Sequence, residues 1–197
     1  MRTKIFIVTL FVSCLLAANG FAQASVPAGT KVERGLVFAS FGKTNLALDL
    51  YRPANYSGKL PVVVWIYGGA WMMRGQTMQA PQASWLATHG YAVAIIDYRL
   101  SSEALFPAQI NDCKAAVRWL RANAGKYDLD ADHIGAWGAS SGGHLASLLG
   151  VTGGVAALEG DAGNTNQSSR VQAVVDFFGP TDFLQMSGHA ARLILGP

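Results

Sequence analysis

The chain has 197 residues, of which 51% are hydrophobic and only 14% are charged, and its formal net charge is +3. This length suits one domain of ordinary size, and the apolar content is sufficient for a sizeable core, which argues against a disordered chain. The sequence has no run of basic residues and no alternation of basic with aromatic residues, so nucleic acid is not expected as a partner.

The first 24 residues have the layout of a secretory signal peptide. Arg2 and Lys4 precede an apolar run over 5–18, and Ala-Gln-Ala at 22–24 forms a small-x-small cleavage signal. Because this run is short for a membrane span, we expect an exported protein, periplasmic or extracellular, with no stable membrane anchor after cleavage. An uncleaved N-terminal anchor is the alternative. Cleavage would leave Cys113 as the remaining cysteine, so no internal disulfide is expected.

Residues 25–197 are predicted to form one domain that opens with a hairpin. Residues 32–40 read as a strand, and 46–51 alternates leucine with alanine, aspartate and tyrosine. Such a period of two indicates a half-buried strand. The intervening residues 41–45 predict the hairpin turn.

Four continuous apolar runs follow, and each indicates a strand buried on both faces, as in a parallel sheet. They lie at 60–69, 91–99, 133–138 and 171–179. A helical pattern over 80–90 separates the first two runs and ends at Gly90. Alternation of strands with helices predicts an α/β fold, with a mostly parallel sheet, flanking helices and the antiparallel hairpin at one edge.

A second helical pattern, over 107–125, is the clearest in the chain. Pro107 opens it and Gly125 ends it. Asp112 near its start and Arg118 and Arg121 near its end match the helix dipole. Its apolar residues recur at helical spacing, which predicts one face packed on the sheet.

Ser140 lies in the pattern Gly138-Ala139-Ser140-Ser141-Gly142, between a predicted strand and a predicted helix. The G-x-S-x-G pattern in this setting is typical of a nucleophile elbow. Small residues two positions before and after the serine permit the tight turn, which presents the hydroxyl at the positive end of a helix. The alternative is that these glycines serve only close packing of helix on strand.

A glycine-rich turn follows the first buried strand, at about the place where a loop would cover Ser140. A serine that attacks an ester creates an oxyanion, which needs preorganised N–H donors. Small residues let the backbone approach a substrate closely. We therefore predict the N–H groups of Gly69 and Ala70 as donors from this loop, with that of Ser141 as the third. The alternative is a plain turn at a strand end.

The YGGAW sequence at 67–71 and GASSGG at 138–143 together resemble the α/β-hydrolase superfamily. The similarity is to the branch of secreted bacterial carboxylesterases and lipases with an HGGGW-type oxyanion loop, which includes feruloyl and acetyl-xylan esterase-like enzymes. Further matching stretches are LDLYRP, DYRLSSEALFPAQINDCKAAVRWLR, DADHIGAWGASSGGHLA and FFGPTDF. Tyr67 stands where the family usually has histidine, and we expect this change to alter the support of the loop more than the chemistry.

The resemblance implies a serine carboxylic-ester hydrolase that acts through an acyl-enzyme, without a cofactor, on a small-molecule or carbohydrate-linked ester. A prolyl-oligopeptidase-type serine peptidase, which shares the elbow, is the alternative enzyme. Outside enzymes, the alternative is a catalytically inactive fragment or a binding module.

Ser140 needs an acid and a base, which follow the nucleophile in the superfamily in the order acid, then histidine. No later strand is evident to carry them. We therefore expect a domain incomplete at its C-terminus, with its last strands missing and these two residues beyond position 197. Within the chain, Asp182 as acid and His189 as base form the best local pair. His144 lies on the helix behind the serine, where its ring cannot easily reach the hydroxyl.

The acidic residues before the third buried run do not predict a metal site. Asp128, Asp130 and Asp132 resemble the start of a calcium loop, but its sixth and twelfth positions hold His133 and Ala139. The glycine and the bidentate glutamate of such a loop are therefore absent. No cysteine and histidine spacing typical of zinc is present either, so no metal is expected.

Overall fold

Residues 28–186, the part of the chain that the computed structural model describes, contain six strands, three complete α-helices and the beginning of a further helix at Phe183. The strands are β1 (Thr30–Phe41), β2 (Thr44–Pro53), β3 (Leu60–Ile66), β4 (Ala92–Ile96), β5 (Leu129–Ala139) and β6 (Ala173–Phe177). The α-helices are α1 (Ala80–Thr88), α2 (Ala108–Ala122) and α3 (Ser141–Val151), and short 3-10 turns lie at Gln76–Gln79 and Ala156–Leu158. None of the helices in this described range is long and apolar enough to cross a membrane.

The strands form one mixed sheet in the order β1-β2-β4-β3-β5-β6. The β1–β2 and β2–β4 pairs are antiparallel, whereas β3–β4, β3–β5 and β5–β6 are parallel. Phe41 pairs with Thr44 across the turn that joins β1 to β2, as the hairpin pattern predicts. The predicted mostly parallel sheet with an N-terminal antiparallel hairpin at its edge is thus confirmed.

Helices cover both faces of the centre of the sheet, which explains the continuous apolar run of β4. Every residue of β4 is buried. On one face, Val93 and Ile95 belong to an apolar cluster that includes residues of α1. On the other face, Ala94 and Ile96 belong to the larger cluster, which includes residues of α2 and α3. A strand between two helical layers has no solvent-facing side and therefore needs no polar alternation.

The expectation of burial on both faces is wrong for β6, and in β5 it holds for one face only, since buried residues there alternate with partly exposed ones. All five residues of β6 are exposed. Within the described range β6 pairs with β5 alone, so it forms an edge of the sheet. On the α1 side of the sheet, the Trp137 ring stacks on Trp65 at 4.9 Å and on Phe177 at 5.6 Å between ring centroids. The apolar run therefore predicted the strand correctly, but it did not predict that the residues of this strand are exposed.

Asp112 and Arg118 form tertiary ion pairs, which corrects their interpretation as partners of the helix dipole, whereas Arg121 lies in the last turn of α2, as that interpretation expects. Asp112 is fully buried and accepts hydrogen bonds from Arg99, at 2.8 Å from Nη2 and 2.9 Å from Nε. Arg118 is also buried and pairs with Glu159. A charge taken out of water is tolerated only when it is paired, so these contacts determine the residue types. The helix ends at Ala122, before the expected Gly125.

Glu159 lies in the segment between α3 and β6 and joins two cations from α2. Its Oε1 lies 2.8 Å from the Lys114 ammonium nitrogen, and its Oε2 lies 3.2 Å from Arg118 Nη1. The same Oε1 accepts hydrogen bonds from the Gly154 N–H and the Ser169 hydroxyl, each at 2.9 Å. This cluster holds an otherwise irregular surface segment against α2.

Candidate active site

Ser140 has a strained backbone at the point where β5 gives way to α3. Its φ is 54° and its ψ is −125°, a conformation that costs a non-glycine residue about 1–3 kcal/mol. Its N–H donates to the carbonyl of Phe177 at 2.9 Å, and its own carbonyl accepts from the His144 N–H at 3.1 Å. The serine is therefore held from both sides, by the end of β6 and by the first turn of α3.

The glycines that flank Ser140 permit backbone contacts that any side chain would prevent. A Cβ on Gly138 would lie 2.1 Å from the carbonyl oxygen of Gly142. A Cβ on Gly142 would lie 2.1 Å from the carbonyl oxygen of Ile66, at the end of β3. The glycines thus permit close packing of helix on strand, which was the alternative interpretation of this pattern. Because Ser140 is strained in the same turn, that packing does not exclude a nucleophile elbow.

The turn after β3 is also strained. Gly69, Ala70 and Trp71 have φ values of 136°, 52° and 57° in succession. The Gly69 carbonyl accepts hydrogen bonds from the N–H groups of Met72 at 2.9 Å and Met73 at 3.0 Å, which closes the turn. A Cβ on Gly69 would lie 2.6 Å from the Met73 carbonyl oxygen, so both the φ value and the space require glycine.

This turn lies directly against the serine. A Cβ on Gly68 would lie 3.2 Å from the Cβ of Ser140. Within residues 28–186, the backbone N–H groups of Gly69, Ala70 and Ser141 have no hydrogen-bond acceptor. Ser141 is the first residue of α3, where N–H groups lack an intrahelical partner and carry the positive end of the helix dipole. The structure therefore brings a serine hydroxyl, a glycine turn and a helix N-terminus to one place.

Tyr67 is the first residue of the turn, and contacts of its side chain support the turn. The residue is buried, its ring stacks on that of Tyr98 at 4.7 Å between centroids, and its hydroxyl donates to Asp97 Oδ1 at 3.0 Å. Burial, together with the neighbouring carboxylate of Asp97, raises the pKa of Tyr67 far above its ordinary value. The phenol therefore remains a neutral hydrogen-bond donor, which agrees with the expected role in supporting the loop.

Asp182 caps a helix in the structure. Its Oδ1 accepts hydrogen bonds from the N–H groups of Leu184 at 3.1 Å and Gln185 at 3.3 Å, and its Oδ2 accepts from the Gln185 amide at 2.7 Å. The helix begins at Phe183. His189 lies outside the described residues, so the pairing of Asp182 with His189 stays a prediction.

His144 packs among aromatic rings. Its ring makes edge contacts with Trp71 at 5.5 Å and with Phe183 at 4.9 Å between centroids. Burial lowers the pKa of His144 below its ordinary value, opposed by the charge of Asp176. In the part of the chain described here, its buried Nδ1 has no hydrogen-bond partner. The ring is thus a neutral part of an apolar wall.

Sequence reasoning missed Asp176, near the end of β6. Its Oδ1 accepts from the Gly179 N–H and its Oδ2 from the Ser147 hydroxyl, both at 2.8 Å. A Cβ on Gly143 would lie 2.2 Å from Asp176 Oδ1. The carboxylate therefore joins the end of β6 to the first turns of α3. The only available indication was an acidic residue at the carboxyl end of a predicted parallel strand.

An apolar cavity of about 550 Å³ lies beside the glycine turn. Residues that line it include Trp71, Leu105, Phe106, His144, Leu148 and Phe183. Its volume and apolar walls are typical of small-molecule sites. Across residues 28–186, no group of three or more histidine, cysteine, aspartate or glutamate side chains is arranged to hold a metal ion.

Comparison with known proteins places the chain among esterases. The model of the family described as BD-FAE matches residues 48–193. The probable carboxylic ester hydrolase LipM of Mycobacterium tuberculosis is 36% identical over 152 residues, which cover 76% of this chain and 35% of that protein. Esterase LipC of the same organism is 34% identical, over 69% of this chain and 34% of that protein. The chain thus spans about a third of the length of these curated relatives.

Solved structures show the same fold. A truncated form of a carbohydrate esterase from gut microbiota has a TM-score of 0.74 and 39% identity, over 80% of this chain and 60% of that one. A bifunctional GH43-CE protein of Bacteroides eggerthii has a TM-score of 0.73 and 44% identity, over 80% of this chain and 22% of that one. A thermophilic esterase of Thermogutta terrifontis has a TM-score of 0.66 and 28% identity, over 77% and 54% of the two chains. The predicted α/β-hydrolase fold is confirmed.

Proposed function

This chain belongs to the BD-FAE family of α/β-hydrolase esterases, and we propose that it is a serine carboxylic-ester hydrolase with Ser140 as its nucleophile. The observation that carries the proposal is the backbone of Ser140, held at a φ of 54° between β5 and α3. A strained serine at a strand-to-helix turn is the arrangement of a nucleophile elbow. The names of the relatives, which are esterases and carboxylic ester hydrolases, support the same reaction.

In the proposed reaction the Ser140 oxygen attacks the ester carbonyl carbon while its proton passes to a histidine. The carbonyl oxygen becomes an oxyanion, which the N–H groups of Gly69, Ala70 and Ser141 stabilise by hydrogen bonds. These three donors have no other acceptor within residues 28–186, so no existing hydrogen bond has to break before they bind the oxyanion. The alcohol leaves with the proton from the histidine, and water then attacks the acyl-enzyme to release the acid.

Among the residues of this chain, we infer Asp182 and His189 as the local candidates for orienting acid and base. They follow Ser140 in the order that the superfamily uses. The Asp182 carboxylate accepts three hydrogen bonds from residues 184 and 185. To orient His189, it must keep one oxygen on the helix N-terminus and turn the other towards the imidazole.

We propose a small-molecule or carbohydrate-linked ester as the substrate. Two of the similar structures are described as a carbohydrate esterase and as a bifunctional GH43-CE protein. The apolar cavity beside Trp71 would take the acyl or the alcohol part of the ester. The N-terminal sequence supports export to the periplasm or the exterior, with no anchor retained after cleavage.

Hydrolysis of p-nitrophenyl acetate by the chain and by Ser140→Ala tests the proposed function. We expect the substitution to reduce kcat by at least about a thousandfold, because the proposed acyl-enzyme forms on the Ser140 hydroxyl. Ser40→Ala is the matched control, since its hydroxyl is exposed and contacts Asn45 in the edge hairpin. An organophosphate should add its mass at Ser140 in the parent and in the control. Turnover that survives in Ser140→Ala would refute the assignment.

A further inference from the structure

One carboxylate, that of Asp97, fastens both ends of the glycine loop, which we define as residues 67–75. At the start of the loop, the Tyr67 hydroxyl donates to Asp97 Oδ1 at 3.0 Å. At its end, Arg74 Nη1 lies 3.0 Å from the same oxygen. Asp97 follows β4 directly and is half-buried, so its position is set by the centre of the sheet. Two residues at opposite ends of the loop thus converge on one atom.

The segment after β4 makes further contacts with the same loop. Arg74 Nη2 donates to both carboxylate oxygens of Glu103, at 2.8 and 3.0 Å. The Ser101 N–H donates to the Trp71 carbonyl at 2.8 Å. The Tyr98 hydroxyl donates to the Tyr67 carbonyl at 3.1 Å. The loop is therefore bound at its start, its middle and its end to residues 97–103.

Such fastening matters because the loop contains successive residues in strained conformations and, within residues 28–186, only two local hydrogen bonds, both to the Gly69 carbonyl, close the turn. Ala70 and Trp71 are non-glycine residues with positive φ, and Gly69 precedes them at a φ of 136°. Strained conformations of this kind persist only where the surrounding structure determines them. If the ends of the loop separated, these residues would relax, and the N–H groups of Gly69 and Ala70 would lose the positions that the turn gives them beside Ser140.

We propose that Asp97 is a positioning residue for the N–H donors to the oxyanion. It acts through Tyr67 and Arg74, which it holds so that both ends of the glycine loop stay in place. We call this contact of Asp97 with Tyr67 and Arg74 the staple. The inference rests on the proposed function, because it concerns donors to an oxyanion formed at Ser140. Asp97 itself touches no reacting atom. Its effect is to hold two N–H groups where charge develops, and preorganised donors of this kind act mainly on the transition state.

The sharpest variant is Tyr67→Phe, which removes the hydroxyl and keeps the ring stacked on Tyr98. We expect kcat to fall about tenfold or more while KM stays within about twofold, because misdirected donors weaken transition-state binding more than substrate binding. Arg74→Gln should act in the same direction, and Arg74→Lys, which keeps the charge, should recover part of the loss. Tyr56→Phe is the control, since that exposed phenol donates to the Lys59 carbonyl.

Hydrogen exchange of the loop amides gives a readout that does not need turnover. The N–H groups of Met72 and Met73 are bonded to the Gly69 carbonyl, and their exchange reports whether the turn is closed. We expect faster exchange at both positions in Tyr67→Phe and Arg74→Gln, and no change in Tyr56→Phe or Ser140→Ala. Unchanged exchange in the first two variants would overturn the staple.

The two hypotheses fail in different ways. Turnover that survives in Ser140→Ala overturns the proposed function, and the exchange measurement then still decides whether the staple exists. Turnover lost in Ser140→Ala but unchanged in Tyr67→Phe and Arg74→Gln overturns the positioning role. A merely structural Tyr67 would lower the melting temperature in its phenylalanine variant and leave kcat at 25 °C unchanged, which also overturns it.

Discussion

Substitution of Glu159 by glutamine should destabilise the protein strongly, although this carboxylate is partly exposed. Glu159 is the anionic partner of two cations from α2, Lys114 and Arg118. The side chains of these cations are 0% and 2% exposed, whereas that of Glu159 is 26% exposed. Glutamine keeps the shape and the acceptor oxygen but removes the charge. The change therefore isolates the ion pairs from the packing.

The size of the expected loss of stability depends on which contacts Lys114 and Arg118 keep in Glu159→Gln. Lys114 keeps a hydrogen bond to the Thr152 carbonyl at 2.6 Å, and Arg118 keeps bonds to backbone carbonyls, including that of Ala162 at 2.8 Å. Within residues 28–186 neither keeps a carboxylate at ion-pair distance, although the charge of Asp161 still acts on Arg118. Removal of one partner of a buried pair costs about 3–5 kcal/mol, and the partial exposure of Glu159 favours the lower end, about 3 kcal/mol. For a chain of this size that is about 6–12 °C in melting temperature.

The loss of stability in Glu159→Gln should be larger at neutral pH than at acidic pH. Burial alone would raise the pKa of Glu159, but the hydrogen bonds from Lys114 and Ser169 outweigh it, and the pKa lies below the ordinary value of 4.5. A carboxylate with a depressed folded-state pKa contributes stability that is fully present above the unfolded-state pKa and is lost as pH falls through the folded-state pKa. The difference between parent and Glu159→Gln should therefore be full at pH 7 and shrink below about pH 4.5.

Urea unfolding followed by tryptophan fluorescence measures this difference. Lys31→Gln is the control, because Lys31 is 61% exposed in its pair with Glu33 and should contribute less than about 1 kcal/mol. Adding Lys114→Met to Glu159→Gln should restore part of the stability, since the unpaired buried cation is then gone. A loss below about 1 kcal/mol at pH 7, or a loss that does not change between pH 7 and pH 3, would refute the reasoning.

Two further predictions concern backbone packing and the buried thiol. Gly142→Ala should lower the free energy of unfolding by at least about 3 kcal/mol, because its Cβ would lie 2.1 Å from the Ile66 carbonyl oxygen. Gly125→Ala has nothing within 4 Å of its new Cβ and should be neutral by the same urea measurement; equal losses in the two variants would contradict the packing argument. Cys113 is fully buried, and burial raises the pKa of its thiol well above the ordinary value. Peptide mapping after iodoacetamide at pH 8 should therefore find Cys113 unmodified in the folded protein and modified in urea, whereas rapid modification without urea would refute its burial.

Much of the fold was predictable because local patterns determined it. The period of two in β2 and the apolar runs of β3 and β4 each reflect the burial of the strand itself. The glycines around Ser140 were informative for the same reason, since the contact of Gly138 with Gly142 lies within one short turn. In each case, the residues that form the sequence pattern also form the contacts of that element.

The remaining features depend on partners distant in the sequence. Asp112 and Arg118 fit the dipole of their own helix, yet their contacts are with Arg99 and Glu159. Tyr67 was expected to affect the support of its loop more than the chemistry, but its partner Asp97 lies at the end of another strand and carries no recognisable motif. A pattern within one segment cannot reveal which residues of another segment will contact it.

The backbone of Ser140 is held by main-chain contacts, and this separates the proposed nucleophile from the residues that would select a substrate. Its amide and carbonyl are bonded to the backbones of Phe177 and His144, and its neighbours are fixed by glycine contacts. Backbone contacts do not depend on the side chains that line the adjoining cavity. If the proposed ester binds in this cavity, replacement of Phe183, which lines it, should change which ester fits without displacing the Ser140 backbone, so that the proposed specificity could change by substitutions in the cavity alone.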